Sequence, residues 1–572
     1  MTSASDTPRP SAFDTPPLRE TSRSRLGGLG GAEVLILGGG VNGVATLREL
    51  ALNGVSCVLL DVGDFARGAS GASSRMAHGG LRYLEGREFR LVAESARERN
   101  RLIADANHLV RPLEITVPVE HLVSGIVGSV TRFLGLSRRG GPLSLAALEG
   151  ALRLYEAYGR REHPLPRHRT VLRRDRFPAG LSSRTRAVVS YCDGQITQPE
   201  GLMFEMISEA MEQGAHVAAL NHATWKYRDG RFVIGDRFGE GSWPLAPRIV
   251  VNATGAWIDR VNAEMGGGTR YLRGVKGAHL VLDNPALHAR MDGRAFYFDD
   301  GTGRMIITLP VGDNVLAGTT EVETQDPDDR DIAGGEVDYL LRAMDGLFSD
   351  IAVTRDQVVS MTTGIRPLRR GDGSVTSAAR DHALEEDRFA GLDAPVLSLV
   401  GGKWTTFRAF GEETATRALA MLGRERTVST ANRSYPGAAP CSSAQLVHET
   451  GIAPALADRL LARYGALARA VAGSCVGDGA MPLAGAAQYC RGEVVWAIRA
   501  RGARRIEDIV LRRSRLTFGQ GLREETLADV ARILEVETTR PAAEIALEVE
   551  AARTDPRLSG LRARGKCDED TA

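Results

Sequence analysis

Glu33-Val-Leu-Ile-Leu37, then Gly38-Gly-Gly40-Val-Asn42-Gly43, then Val44-Ala-Thr-Leu-Arg-Glu-Leu50, is the stretch that decides the fold. The first five residues form a short apolar run flanked by glycines, which reads as a buried parallel strand. The last seven have helical spacing. Between them lies a Gly-x-Gly-x-x-Gly turn in the context that gives such a turn meaning. Gly38 makes the tight turn, Gly40 lets a pyrophosphate approach the backbone, and Gly43 lets helix and strand pack closely. The helix N-terminus adds amide donors and the positive end of its dipole. A second apolar run, Ser56-Cys-Val-Leu-Leu60, ends in Asp61, about 20 residues on, where an acid accepts hydrogen bonds from ribose hydroxyls. Strand, glycines, helix, strand and acid in register predict a dinucleotide-binding Rossmann unit.

The rest of the chain is read outward from that unit. At 572 residues it is too long for one core, and two or three domains are expected. A formal net charge of +1 removes any global argument for nucleic acid, while leaving room for a locally basic phosphate site. The six cysteines (Cys57, Cys192, Cys441, Cys475, Cys490, Cys567) form no Cys-x-x-Cys pair, which argues against zinc, iron–sulfur or a disulfide framework. No metal site is expected, and a reducing compartment is the simplest home. No run of about 18 apolar residues suggests a membrane span. Residues 1–30, rich in Ser, Thr, Pro and Arg without an apolar core, read as a disordered tail rather than a secretory signal.

After Asp61 comes Ser70, Ser73, Ser74 and Arg75, then His78-Gly79-Gly80-Leu-Arg82-Tyr83-Leu-Glu85. Further blocks are Glu88-Phe-Arg-Leu-Val92, His108-Leu-Val-Arg-Pro112, Arg248-Ile-Val-Val-Asn-Ala-Thr-Gly255-Ala-Trp-Ile-Asp259 and Leu272-Arg-Gly-Val-Lys-Gly-Ala-His279. Leu316-Ala-Gly-Thr-Thr320, Gly364-Ile-Arg366-Pro-Leu, Arg380-Asp381 and Gly401-Gly402-Lys403-Trp-Thr405-Thr-Phe-Arg408 complete the set. In content and order, from about residue 33 to 420, these blocks resemble the FAD-dependent glycerol-3-phosphate dehydrogenases. The resemblance implies FAD as cofactor, a serine-rich stretch around it, and the His78–Tyr83 segment over the isoalloxazine ring. It places Gly38, Gly40, Asn42, Gly43, Asp61, Ser70, Ser73, Ser74, Gly79, Gly80, Gly255, Gly402 and Thr405 on the cofactor. It implies oxidation of glycerol 3-phosphate to dihydroxyacetone phosphate, with electrons delivered to quinone or to another acceptor such as oxygen.

Residue chemistry agrees. Arginine forks suit phosphate oxygens, and the resemblance assigns Arg366 and Arg380 to the substrate phosphate. Oxidising an alcohol needs a base near operating pH. His78 is the candidate, although a histidine there also fits a hydrogen bond to flavin or backbone alone. Lys403 suits the flavin edge where negative charge develops on reduction. Arg82 and Tyr83 fit the substrate hydroxyls.

Three stretches depart from the family. Ser190-Tyr-Cys-Asp193-Gly-Gln195-Ile-Thr-Gln-Pro199-Glu-Gly201 replaces an acidic, arginine-containing segment, and a Thr-Thr-Asp pattern appears as Thr319-Thr320-Glu321. These keep another phosphorylated or phosphonate alcohol, or a 2-hydroxy acid, open as substrate. The third, Leu122 to Leu148, puts Leu122, Ile126, Val130 and Phe133 on one helical face with Arg132, Arg138 and Arg139 at its end. Two readings fit it equally: an amphipathic helix at a bilayer interface, or a helix packed on the protein's own core. The placement expected is cytoplasmic, with or without peripheral contact on the cytoplasmic membrane, as monomer or homodimer.

The fold class expected is α/β in its nucleotide part and α+β overall. A Rossmann-like FAD-binding domain interleaves with an antiparallel-sheet substrate domain over 31–424, and a helical domain follows over 425–572. Phe232-Val-Ile, Leu280-Val-Leu and Met305-Ile-Ile-Thr-Leu309 are expected in the substrate sheet. The C-terminal helices are expected around Leu456, Leu460 and Leu461, from Val494 to Leu511, and from Leu527 to Leu534. The charged run Arg504–Arg515 reads as a solvated helix face.

Overall fold

A computed structural model describes residues 16–80, 89–122, 145–159, 165–302, 304–370, 381–519 and 522–561. Strand β1 (Val34–Leu37), helix α1 (Val41–Leu52) and strand β2 (Cys57–Leu60) form the expected βαβ unit, with β1 and β2 parallel. They sit in a six-stranded sheet with Val217–Leu220 beyond β2, and with Ile249–Asn252, Val396–Val400 and Ala383–Asp387 beyond β1. Every pairing is parallel except the last, at the edge. Side-chain alternation explains why β1 is apolar throughout. Val34 and Ile36 face α1 and the helix Phe407–Met421, whereas Leu35 and Leu37 face Phe232, Ile234 and Leu245 on the other side. All four are buried, each contributing about 1.5–3 kcal/mol of transfer free energy.

Phe232 and Ile234 belong to a separate three-stranded antiparallel meander (Ala223–Arg228, Arg231–Asp236, Ser242–Leu245). Phe232-Val-Ile, expected in the substrate sheet, lies instead in this meander, which caps the nucleotide sheet because alternation along that strand sends Phe232 and Ile234 onto Leu35 and Leu37.

The substrate sheet has ten strands, eight on its main path and two paired to it from the side, and includes Leu272–Leu282, Met305–Val311, Val110–Val119 and Ala187–Ile196. It is antiparallel apart from one parallel pairing, Ala295 with Ile115 and Phe296 with Thr116. The long strand Leu272–Leu282 is paired along its length with Val358–Arg369, placing Val275 opposite Arg366 and Gly277 opposite Gly364. Helix Leu145–Gly159 covers the sheet through Leu148, Leu152 and Tyr155. Its first residue, Leu145, donates its N–H to the carbonyl of His121 at 3.0 Å, so the chain leaves and returns at one point. Most of the amphipathic stretch between, residues 123–144, lies outside the described residues, and its C-terminal end, Leu148, is core.

Three further expectations need correction. The tail expected over 1–30 contains a helix, Leu18–Gly28. Arg19 holds it down by donating to Asn221 Oδ1 (2.6 Å) and pairing with the buried side chain of Asp236. The run Arg504–Arg515 is not a solvated face. Asp508, Arg512 and Arg513 are buried against Asp64 and His222. Arg513 Nη2 donates to Asp64 Oδ1 (2.7 Å), Arg512 Nη2 to Asp508 Oδ1 (2.7 Å), and His222 Nε2 lies 2.9 Å from Asp508 Oδ2. The run forms an interior ion cluster, because Asp64 and His222 from outside it supply partners that the local sequence lacks. The Val494–Leu511 helix is likewise broken, into Arg491–Arg499, a short turn Ile506–Asp508 and a wide turn Ile509–Arg513. Pro454–Tyr464 and Glu524–Thr538 are helical as expected.

Candidate active site

Two cavities of about 350 Å³ each meet at Gly401, Gly402, Lys403 and Trp404. The first runs along the β1–α1 turn and Asp61; the second opens onto the substrate sheet.

The turn is built as the glycine spacing predicts. Gly38 has φ +105° and a Cβ there would stand 2.6 Å from the carbonyl oxygen of Ala253; at Gly43 it would stand 2.0 Å from that of Gly38. Gly40 differs, because the nearest atom to its Cβ position is Ser70 Oγ at 3.4 Å, an ordinary contact. The protein's own packing therefore does not demand glycine at 40, and space left for a ligand does. Asp61 accepts from Gly39 N–H (2.7 Å) and Gly63 N–H (2.8 Å), which leaves each oxygen a lone pair for a ribose hydroxyl. Ser70 Oγ accepts from Val41 N–H at 3.0 Å, and Trp404 Nε1 donates to the Ser70 carbonyl at 2.9 Å. Asn42 Nδ2 donates to Gly401 O (3.1 Å), while its buried Oδ1 accepts from none of the described residues. Gly255 (φ +61°) lines the same cleft beside Trp257. Asp328, which accepts from Trp257 Nε1 at 2.9 Å and Arg260 Nη1 at 2.5 Å, closes one wall. A glycine cradle, a helix N-terminus, an open acid and an orphaned amide oxygen fit a dinucleotide such as FAD.

The second cavity is lined by residues of neighbouring strands. Val275, Gly277 and His279 come from one strand, Gly364, Arg366 and Leu368 from its partner, and Tyr191 and Asp193 from a third. His78, Ser73, Ser74, Lys403 and Thr405 complete it. Arg366 Nη2 donates to Thr319 Oγ1 (2.9 Å), and its Nη1 lies 3.6 Å from Glu321. The family departure at Glu321 thus falls on the proposed phosphate arginine. Thr405 Oγ1 donates to the His78 carbonyl at 3.0 Å.

The structure brings His78, Arg366, Lys403, Ser73, Ser74, Gly402 and Thr405 into one cavity, and Gly38, Gly40, Asn42, Asp61, Ser70 and Gly255 into the other. Gly79 lines neither; its N–H donates to Tyr155 Oη (2.9 Å) and Asp193 Oδ1 (3.1 Å). Gly80 (φ +79°) ends the described segment. Arg82, Tyr83 and Arg380 lie outside the described residues. Asp381, next to Arg380, lines the substrate cavity and pairs with Arg90.

Sequence reasoning did not single out His279 or the Tyr155–Asp193–Arg99 cluster. His279 Nε2 lies 2.8 Å from Ser74 Oγ. Burial, then the charges of Arg366 and Arg75, push its imidazole down to about 3, so it is neutral near pH 7. Its place in the quoted 272–279 block was the available signal. Tyr155 had none, since it reaches the site from a helix 76 positions along the chain from Gly79.

Residues 33–416 match the family described as FAD dependent oxidoreductase, and residues 428–544 match the C-terminal domain of alpha-glycerophosphate oxidase. The chain is 32% identical over 440 residues to a glycerol-3-phosphate dehydrogenase of Synechocystis sp., covering 71% of this chain and 73% of that one. It is 30% identical over 390 residues to the D-erythritol 1-phosphate dehydrogenase of Brucella abortus, covering 66% and 72%. Its fold is similar to that of the glycerol-3-phosphate dehydrogenase from Bacillus halodurans solved with FAD, with a TM-score of 0.67 at 21% identity over 94% of this chain and 98% of that one. With the glycine cradle, the paired cavities and these matches in agreement, the chain belongs to the FAD-dependent glycerol-3-phosphate dehydrogenase family.

Proposed function

We propose that this chain oxidises sn-glycerol 3-phosphate at C2 to dihydroxyacetone phosphate. The observation that carries the reading is one cavity holding His78, Arg366 and Lys403 and opening directly onto the dinucleotide cleft. Bound in that cleft, FAD would supply the hydride acceptor, N5 of its ring. Arg366 engages the phosphate, with Arg380 as its partner, and Arg82 and Tyr83 orient the hydroxyls. His78 takes the C2 hydroxyl proton, held in place by Thr405 on its carbonyl. Lys403 brings positive charge to the junction of the cavities, where negative charge develops. His279 pairs with Ser74 and bounds the pocket.

Electrons leave to quinone in this reading, with a peripheral contact on the cytoplasmic membrane. Anaerobic addition of glycerol 3-phosphate to the yellow holoenzyme should bleach its flavin absorbance, and plain glycerol should not. Bound flavin that stays oxidised sinks the substrate assignment. The similarity to the Brucella enzyme makes D-erythritol 1-phosphate the second substrate to add. Turnover with a soluble quinone but not with oxygen alone checks the acceptor, and co-flotation with anionic vesicles checks the membrane contact.

A further inference from the structure

Against the Gly79 amide, next to His78, lies a buried polar cluster that the reaction as written does not use, and one member, Asp193, also lines the substrate cavity. Asp193, Tyr155 and Arg99 are all almost fully buried. Arg99 Nη1 donates to Asp193 Oδ1 (2.9 Å) and to Tyr155 Oη (2.5 Å), and Tyr155 Oη donates to Asp193 Oδ1 (2.7 Å). Gly79 N–H donates to both Tyr155 and Asp193. Burial and the Asp193 charge hold the Tyr155 phenol far above its usual range, so it keeps the proton it donates. A Cβ at Gly79 would stand 2.3 Å from Tyr155 Oη, so the phenol lies directly against this backbone.

The strand bearing Asp193 also grips the preceding residues. Met76 pairs with Gln195 and Ala77 with Gly194, and the next contact along the same line is Gly79 with Asp193. With Thr405 on the His78 carbonyl, the backbone is fixed on both sides of the imidazole. A buried ion pair is weak evidence for stability, because desolvation offsets its attraction. It suits a place where geometry must be unique.

We infer that Tyr155, Asp193 and Arg99 are positioning residues that set the His78 imidazole against the substrate hydroxyl through the Gly79 amide. This rests on the reading of His78 as base. It also gives the divergent 190–201 stretch a role, since Asp193 stands there.

The test is anaerobic stopped-flow bleaching of the holoenzyme by glycerol 3-phosphate across about pH 5.5–9, which spans the ordinary histidine range. Wild type, Tyr155→Phe, His78→Asn and the double variant are compared. Tyr155→Phe should slow bleaching by about 10- to 100-fold, the scale of a misplaced catalytic group. Its half-saturating substrate concentration and FAD stoichiometry should stay near wild type, and its rate–pH profile should shift. In the His78→Asn background the same change should add little, because groups acting as a unit are non-additive. Asp193→Asn carries the same expectation should Tyr155→Phe fail to fold. A full rate in Tyr155→Phe, an unmoved pH profile, or an equal slowing in both backgrounds overturns the inference while leaving the function intact. A full rate in His78→Asn overturns both the base assignment and this inference, and an unbleached wild type overturns the proposed function with them.

Discussion

Gly40 and Gly43 lie three residues apart in one turn, yet the structure predicts that alanine acts differently at each. At Gly43 a Cβ would stand 2.0 Å from the Gly38 carbonyl oxygen and 3.1 Å from Ala253 Cβ. Both obstacles belong to β-strand ends, so relief demands that the start of α1 move outward by more than about 1 Å. That motion withdraws amide donors from the pyrophosphate. Losing two hydrogen bonds to a charged group, at about 1.5–3 kcal/mol each, weakens FAD by about 3–6 kcal/mol. The dissociation constant should rise by about 10²- to 10⁴-fold. The Gly43→Ala apoprotein should itself be destabilised. At Gly40 the backbone (φ −79°, ψ 175°) suits alanine, and the nearest atom is Ser70 Oγ at 3.4 Å. The Gly40→Ala apoprotein should keep its urea midpoint, yet bind FAD at least about 100-fold more weakly because the methyl occupies ligand space. Fluorescence titration of each apoprotein with FAD, beside urea unfolding, separates the two. Wild-type affinity in Gly40→Ala, or wild-type stability of the Gly43→Ala apoprotein, would refute the reasoning.

The buried cluster makes a stability prediction: Asp64→Asn leaves Arg513 without a carboxylate and should cost about 3–5 kcal/mol in urea unfolding. A cycle with Arg513→Gln should show coupling of about 1–3 kcal/mol, and additivity would mean the pair does not interact. Arg366→Ala should lower kcat/KM for glycerol 3-phosphate by about 10- to 100-fold through a lost charge-assisted contact; an unchanged value removes Arg366 from the phosphate site. His279 supplies a pH dependence. Its native pKa of about 3 lies below the unfolded 6.5, so below pH 6.5 the unfolded chain gains a proton that the native state refuses. Stability should therefore fall as pH drops from 6.5 towards 3, and His279→Gln should flatten that fall in urea midpoints at pH 7.5 and 5. An identical slope in the variant counts against it.

The nucleotide half was legible because its signals are local. An apolar strand, three glycines at the spacing of a strand-to-helix turn, a helix start and an acid are all written within residues 33–61, and the tertiary structure adds what they pack against, such as Ala253 against Gly38 and Gly43. The substrate cavity was partly legible, since His78, Arg366 and Lys403 stand in blocks with a recognisable order. Where other elements meet the site was not. Tyr155 reaches Gly79 from a separate helix, His279 and Arg366 become neighbours only through the pairing of two long strands, and Glu321 meets Arg366 through that sheet. The charged run 504–515 shows the same limit from the other side. Composition reports charge, whereas burial depends on partners hundreds of residues away, and Asp64 meets Arg513 at a sequence separation of 449. The sequence by itself determined the nucleotide fold and offered the candidate reacting groups, because the first follows from short-range backbone geometry and the second from side-chain chemistry within blocks of recognisable order. Only the tertiary structure decided which groups share a cavity, which are held neutral and which backbone is locked, because those depend on long-range packing and on the loss of water around charge.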